Sequence, residues 1–354
     1  MGPESNAFAG QVIRWQRSHG RSDLPWQGTR DPYRIWVSEI MLQQTQVAAV
    51  IPYFTRFMTR FPTVEALAAA TADEVMAAWA GLGYYSRARN LHRCAQTIVA
   101  EHGARFPRTV DELAALPGIG RSTASAIAAF AFGARAAILD GNVKRVFARH
   151  FGIDGFPGTA AIERRMWTLA EEMLPSEGIE TYTQGLMDLG ATLCTRSRPR
   201  CPGCPVSMTC VARAENRTSE LPAPRPVKPR PLRHLALMVI RDERGAILLE
   251  TRPPSGIWGG LMSLPEFDAE SAESDLRNGC AARYALNVEL EGRLPELRHE
   301  FSHYSLLMYP QLARVQSASG VGATGARFVE PARLKDCALP APIRRLLHGF
   351  APAS

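Results

Sequence analysis

The 354-residue chain is 46% hydrophobic and 21% charged, enough apolar material for more than one core and too little charge for a disordered polymer. Its formal net charge of +7 favours polyanions as a partner class. No apolar run reaches the roughly 18 residues of a membrane span, and MGPESNAFAG at the start lacks the basic-then-apolar order of a secretion signal. A cytoplasmic protein is expected, nuclear or organellar if the source is eukaryotic.

Residues 1–215 are rich in Ala, Leu and Met and rarely alternate with period two, which predicts an all-α domain. Asp31-Pro32 opens a helix with proline in its first turn. This helix, RIWVSEIMLQQTQV, carries Glu39 on an apolar face, with Ile35 one turn before it and Leu42 nearly one turn after. A carboxyl there is expected to keep its proton near neutrality; the alternative is a pairing with Arg34. Thr63, Thr71 and Thr109 mark further helix starts, the last two with Glu74 and Glu112 at capping-box spacing.

Between VDELAAL and STASAIAAFAF lies LPGIGRST. Pro117 stops the first helix, Gly118 and Gly120 are expected to adopt backbone angles closed to other residues, and Ile119 to plug the gap between helices. The following helix N-terminus offers N–H groups to an anion, although a plain corner between helices fits the same pattern. GLGYYSRARNL at 81–91 is a weaker echo. Asp140 in ILDGNVKRV reads either as a helix cap, alone or shared with Asn142, or as an anion placed to stabilise a cation.

Four of the seven cysteines fall within seventeen residues, Cys194-x6-Cys201-x2-Cys204-x5-Cys210. In a reducing compartment they read as metal ligands, and spacing alone leaves zinc and iron–sulfur open. Arg196, Arg198 and Arg200 lie between the first two. Residues 216–231 are rich in proline and arginine, a semi-rigid linker. From 232 to 354 the texture is strand-like: LALMVIR and AILLET flank the turn Asp242-Glu243-Arg244-Gly245, SLLMYPQLARV follows, and RRLLHGF reads as a short helix. An α+β domain is expected there.

MLQQTQV, GLGYYSRARNL, LPGIGRSTA, ILDGNVKRV and the cysteine spacing, in that order, resemble the adenine DNA glycosylases of the MutY family over residues 8 to 215. WGGLMSLPEF resembles the start of a Nudix fold. The resemblance implies a multidomain protein: an all-α helix-hairpin-helix glycosylase domain with an iron–sulfur cluster loop (4Fe-4S on Cys194, Cys201, Cys204 and Cys210), then an α+β Nudix-like C-terminal domain. It implies Glu39 as general acid, Asp140 as the stabiliser of an oxocarbenium ion, and Asn142 as its supporting amide. Gln43, Gln44, Thr45 and Tyr84 are implied at the duplex around the lesion, Gly118 and Gly120 at a DNA phosphate, and Trp26, Arg30 and Gln184 in the adenine pocket. Gln184 stands where some relatives carry glutamate. Ser122 replaces the lysine that forms a Schiff base in the lyase-competent sister family, so a monofunctional enzyme is implied.

In the second domain Gly260 and Glu266 match the first Nudix motif positions, but Ser274, Asp275, Asn278 and Gly279 stand where the motif needs arginine and glutamates. Phe301, Ser302 and His303 resemble the loop that recognises 8-oxoguanine; the plainer alternative is an aromatic strand end with two solvated histidines, His299 and His303. The expected partner is double-stranded DNA with 8-oxoguanine:A or G:A mispairs, bound by a monomer. Two rivals are an endonuclease III-like glycosylase/lyase and a non-catalytic damage-binding protein.

Overall fold

Local capping sets the helical part. The computed structural model describes residues 3–226, 229–253, 256–301, 303–318 and 325–350. Among these described residues twelve α-helices precede the first strand: α1 (Pro3–His19), α2 (Pro32–Leu42), α3 (Val47–Arg60), α4 (Val64–Ala69), α5 (Ala72–Trp79), α6 (Ser86–His102), α7 (Val110–Ala115), α8 (Arg121–Phe132), α9 (Gly141–His150), α10 (Ala160–Glu172), α11 (Ile179–Asp188) and α12 (Val211–Ala214). Asp31 caps α2 by accepting from the Tyr33 N–H, with Pro32 at its start. Thr63 caps α4, and both expected capping boxes form, at Thr71/Glu74 and Thr109/Glu112.

The described residues fall into two compact units. One runs up to Ala70 and again from Arg87 into the proline-rich segment; the other joins Thr71–Ser86 to the C-terminal part. In the first, Phe8, Val12, Phe147, Tyr182, Leu186 and Leu189 belong to one buried cluster. Helix α11 crosses α1 closely because Gly185 has no side chain; a Cβ there would lie 2.7 Å from Val12. α11 then widens into a π-turn, Leu189–Leu193, which leads directly to Cys194.

The second unit holds a mixed eight-stranded sheet: β1 (Leu232–Arg241), β2 (Ile247–Thr251), β3 (Met262–Ser263), β4 (Glu266–Phe267), β5 (Leu286–Arg293), β6 (Leu297–Glu300), β7 (Ser305–Ala318) and β8 (Ala326–Val329). β1 and β7 are its long parallel centre, in register from Leu232↔Ser305 to Arg241↔Arg314. Alternate residues of β1 enter opposite cores. Leu237 and Val239 pack with Ile343 and Leu347 of α14 (Ala341–His348), while Ala236, Met238 and Ile240 pack with Leu276, Cys280 and Tyr284 of α13 (Glu273–Tyr284). The expected turn at Asp242–Gly245 forms, closed by Asp242 N–H to Ala246 O at 3.0 Å.

Candidate active site

A cleft of about 1450 Å³ opens in the first unit, and ten of the expected site residues line it: Trp26, Arg30, Glu39, Gln43, Gln44, Thr45, Ser122, Asp140, Asn142 and Gln184. They come from α2, the loop before it and the turn after it, from α8, from α9 and its cap, and from α11, so tertiary folding assembles the site.

Glu39 sits on α2 beside the buried Ile35 and Ser38 and makes no hydrogen bond or ion pair among the described residues. The pairing with Arg34 does not form; that guanidinium donates to the Pro25 carbonyl at 3.4 Å and lies over the Phe54 ring. Burial, and then the nearby charge of Asp140, push the Glu39 carboxyl up to about 7. A carboxyl so placed can hand over a proton at neutral pH.

Asp140 is both cap and cleft residue. Its Oδ1 accepts from Val143 N–H at 2.8 Å and its Oδ2 from the Asn142 amide at 3.0 Å. Burial raises its carboxyl above the ordinary range, and these hydrogen bonds with the Arg145 charge offset that only in part. Asn142 is held in turn, since its Oδ1 accepts from Arg145 Nη2 at 2.8 Å. The same guanidinium donates to Cys194 O and Gly190 O, both at 2.7 Å. A Cβ on Gly190 would lie 2.5 Å from the Asn142 Cβ, so glycine is what lets the π-turn touch α9. Arg145 lies within ILDGNVKRV but takes no role from that motif, although it stands one turn after Asn142 on the same face of α9.

Ser122 does more than stand in for an absent lysine. Its hydroxyl accepts from Leu139 N–H at 3.1 Å and so ties α8 to the residue before Asp140. Gly118 has φ +78°, and a Cβ on it would lie 2.5 Å from Asn90. Gly120 departs from expectation: its φ of −86° is open to any residue. An added Cβ there would meet nothing within 4 Å in front of α8, so no contact within the chain requires glycine at this position. Ile119 is buried, as a plug should be.

The turn after α2 owes its shape to a residue outside the expected set. Arg87, nearly buried, donates through Nη1 to the carbonyls of Ile40, Met41 and Gln43 at 2.7, 2.8 and 2.7 Å, and through Nη2 to Thr45 Oγ1 at 3.0 Å. Gln44 there takes the left-handed conformation, φ +57°. Trp26 packs edge-on against Phe54 at 5.4 Å. Arg30 pairs with Glu180 at 2.6 Å, a lining residue that no motif marks. Tyr84 lies in the segment grouped with the second unit; it is 54% exposed with φ +50°, so simple core packing does not describe it.

Cys194, Cys201, Cys204 and Cys210 line one further cavity together with Arg149. No three His, Cys, Asp or Glu among the described residues converge on a point that one ion could occupy. Arg149 is only 2% exposed. It donates to Thr195 O, Arg196 O and Leu221 O at 2.7, 2.9 and 2.7 Å, and to the Cys194 Sγ at 3.4 Å. These partners are carbonyls and a sulfur, with no carboxylate among them. Burial, then the neighbouring thiols, push Cys204 up to about 11. Such thiols ionise together when a metal group compensates them.

In the second unit Phe301 is half-buried, with its ring 5.4 Å from Trp258, 4.5 Å from His299 and 4.8 Å from Tyr304. His299 is thus packed and not freely solvated, while His303 is exposed. Ser302 lies outside the described residues. Glu266 is paired with Arg252, and Asp275 accepts from Ala272 N–H at the start of α13.

A helical unit with a glycine hairpin and a carboxylate-lined cleft, followed by a sheet between helices, defines a helix-hairpin-helix base excision DNA repair protein with a NUDIX domain. Family models of these two descriptions match residues 37–172 and 236–349. The chain belongs to the adenine DNA glycosylases. It is 34% identical to "Adenine DNA glycosylase" of Buchnera aphidicola over 97% of both chains, and 34% identical to the protein of that name from Homo sapiens over 98% of this chain and 74% of that one. Among solved structures, a thermostable thymine-DNA glycosylase matches 60% of this chain and 97% of its own, with 29% identity and a TM-score of 0.55. A non-covalent endonuclease III–DNA complex shares the fold at a TM-score of 0.52 over 60% of this chain and 96% of its own.

Proposed function

We propose that this adenine DNA glycosylase acts as a monomer on double-stranded DNA, in whichever compartment holds the genome, and excises adenine paired with 8-oxoguanine or guanine. The observation that carries the reading is the pair of unlike carboxylates in one cleft. Glu39 is unpartnered and holds its proton to about 7, whereas Asp140 is bound by two hydrogen-bond donors. The first protonates the base, which is a poor leaving group as an anion; the second faces the positive charge that grows on the sugar as the bond to C1′ breaks. Asn142 keeps Asp140 oriented. The target base leaves the stack to enter the cleft, with Gln43, Gln44, Thr45 and Tyr84 at the duplex it vacates. Trp26, Arg30 and Gln184 are assigned to the base, and Gly118 and Gly120 to a phosphate in front of α8.

Ser122 has no amine, so the reaction ends at an abasic site. Purified protein incubated with an 8-oxoguanine:A duplex is expected to give strand breaks only after alkali. Breaks without alkali would establish the glycosylase/lyase instead, and none under either condition the non-catalytic reading. We assign residues 1–215 to the glycosylase domain, 216–231 to the linker and 232–354 to 8-oxoguanine recognition through Phe301, Ser302 and His303. The four cysteines and Arg149 suit a 4Fe-4S group, a dianion when held by four thiolates. When bound, that group supplies metal–thiolate bonds that pin the arginine-bearing loop. Iron analysis and a visible absorption band test this; zinc without colour refutes it.

A further inference from the structure

Asp188, at the end of α11, is fully buried and wholly engaged. Its Oδ2 accepts from the Arg21 backbone N–H at 2.8 Å. Its Oδ1 accepts from Arg21 Nε at 2.8 Å, from Arg21 Nη2 at 2.5 Å and from Gln184 Nε2 at 2.9 Å. A carboxylate paired with a guanidinium is an acceptor on both oxygens, so the amide atom that faces it must be nitrogen. The Gln184 carbonyl oxygen is left as the free end of the amide, with no further hydrogen bond among the described residues, on a side chain that lines the cleft.

We propose that Asp188, locked by Arg21, is a positioning residue for base selection: it fixes the Gln184 amide so that the cleft presents an acceptor. An acceptor there matches an exocyclic amine, as on adenine, and opposes the C6 carbonyl of hypoxanthine or guanine. This rests on the reading of Gln184 as a base contact. Relatives with glutamate at this position offer acceptors on both oxygens; glutamine offers one, and needs a neighbour to choose which end faces the base.

The test compares single-turnover excision of adenine and of hypoxanthine, each opposite 8-oxoguanine, with thermal unfolding followed in parallel. The full chain is expected to prefer adenine. In Asp188→Asn the facing group can donate or accept, the amide turns either way, and the adenine-to-hypoxanthine ratio is expected to fall at least about tenfold. Gln184→Leu should lower the ratio similarly. A purely structural role for Asp188 would slow both substrates alike and leave the ratio unchanged, which overturns the positioning role. An unchanged ratio in Gln184→Leu overturns the base contact itself, and the proposal with it. If Asp188→Asn does not fold, Arg21→Gln serves: without the guanidinium that locks it, the Asp188 side chain no longer holds the Gln184 amide in one orientation, so the ratio should again fall, and an unaltered ratio counts against the proposal.

Discussion

At the scale of single residues, the cleft depends on a carboxyl that the fold refuses to pair. Glu39→Gln keeps the size and polarity of the side chain but has no proton to give. Single-turnover excision is expected to fall by roughly 10²–10⁴-fold while DNA affinity and fold persist; loss of affinity as well would make the residue structural. As the proposed general acid Glu39 must carry its proton, so the rate should decline as pH rises through about 7. Stability follows the same proton. The folded carboxyl keeps it up to about 7 whereas the unfolded chain releases it near 4.5, so stability falls as pH rises between those values. Glu39→Gln should therefore be relatively more stable at pH 8 than at pH 5, by on the order of 2 kcal/mol in chemical denaturation.

At the scale of elements, α9 lets two roles of one side chain be separated. Asparagine caps a helix about as well as aspartate, so Asp140→Asn should leave stability within a few tenths of a kcal/mol. It removes the charge, and excision should drop by about 10²-fold or more. Asp140→Ala loses both roles and should also cost about 1 kcal/mol in thermal or denaturant unfolding. Equal activity in Asp140→Asn and the parent would reduce the residue to a cap. This helix also shows what can be read in advance. Asp31, Thr63, Thr71, Thr109 and Asp140 are legible as caps because capping is decided within three residues of chain. Arg87 is not, because it closes the end of α2 from 44 to 47 residues away. Gly190 is equally silent, since its need for glycine comes from Asn142 across the helix packing. Gly120 misleads because a hairpin glycine looks the same in sequence whether or not its backbone angle requires glycine.

At the scale of the whole molecule, charge placement decides how the chain meets a polyanion. The net charge of +7 alone specifies no surface. Arg196 and Arg198 are exposed on the loop between Cys194 and Cys201, and Arg149 holds that loop by the carbonyls of Thr195 and Arg196. Truncating the two exposed side chains leaves those backbone bonds intact, so Arg196→Ala with Arg198→Ala should not alter the thermal midpoint. If both arginines neutralise phosphates, each phosphate left without its arginine withholds the release of about 0.9 counterions. The slope of log Kd against log salt should then shrink by about 2. Because arginine–phosphate pairs carry no sequence information, affinity should weaken alike on mispaired and undamaged duplexes. A slope that does not change would move the DNA-facing surface away from this loop, and a weakening confined to mispaired DNA would mean that these arginines read the lesion instead of the backbone.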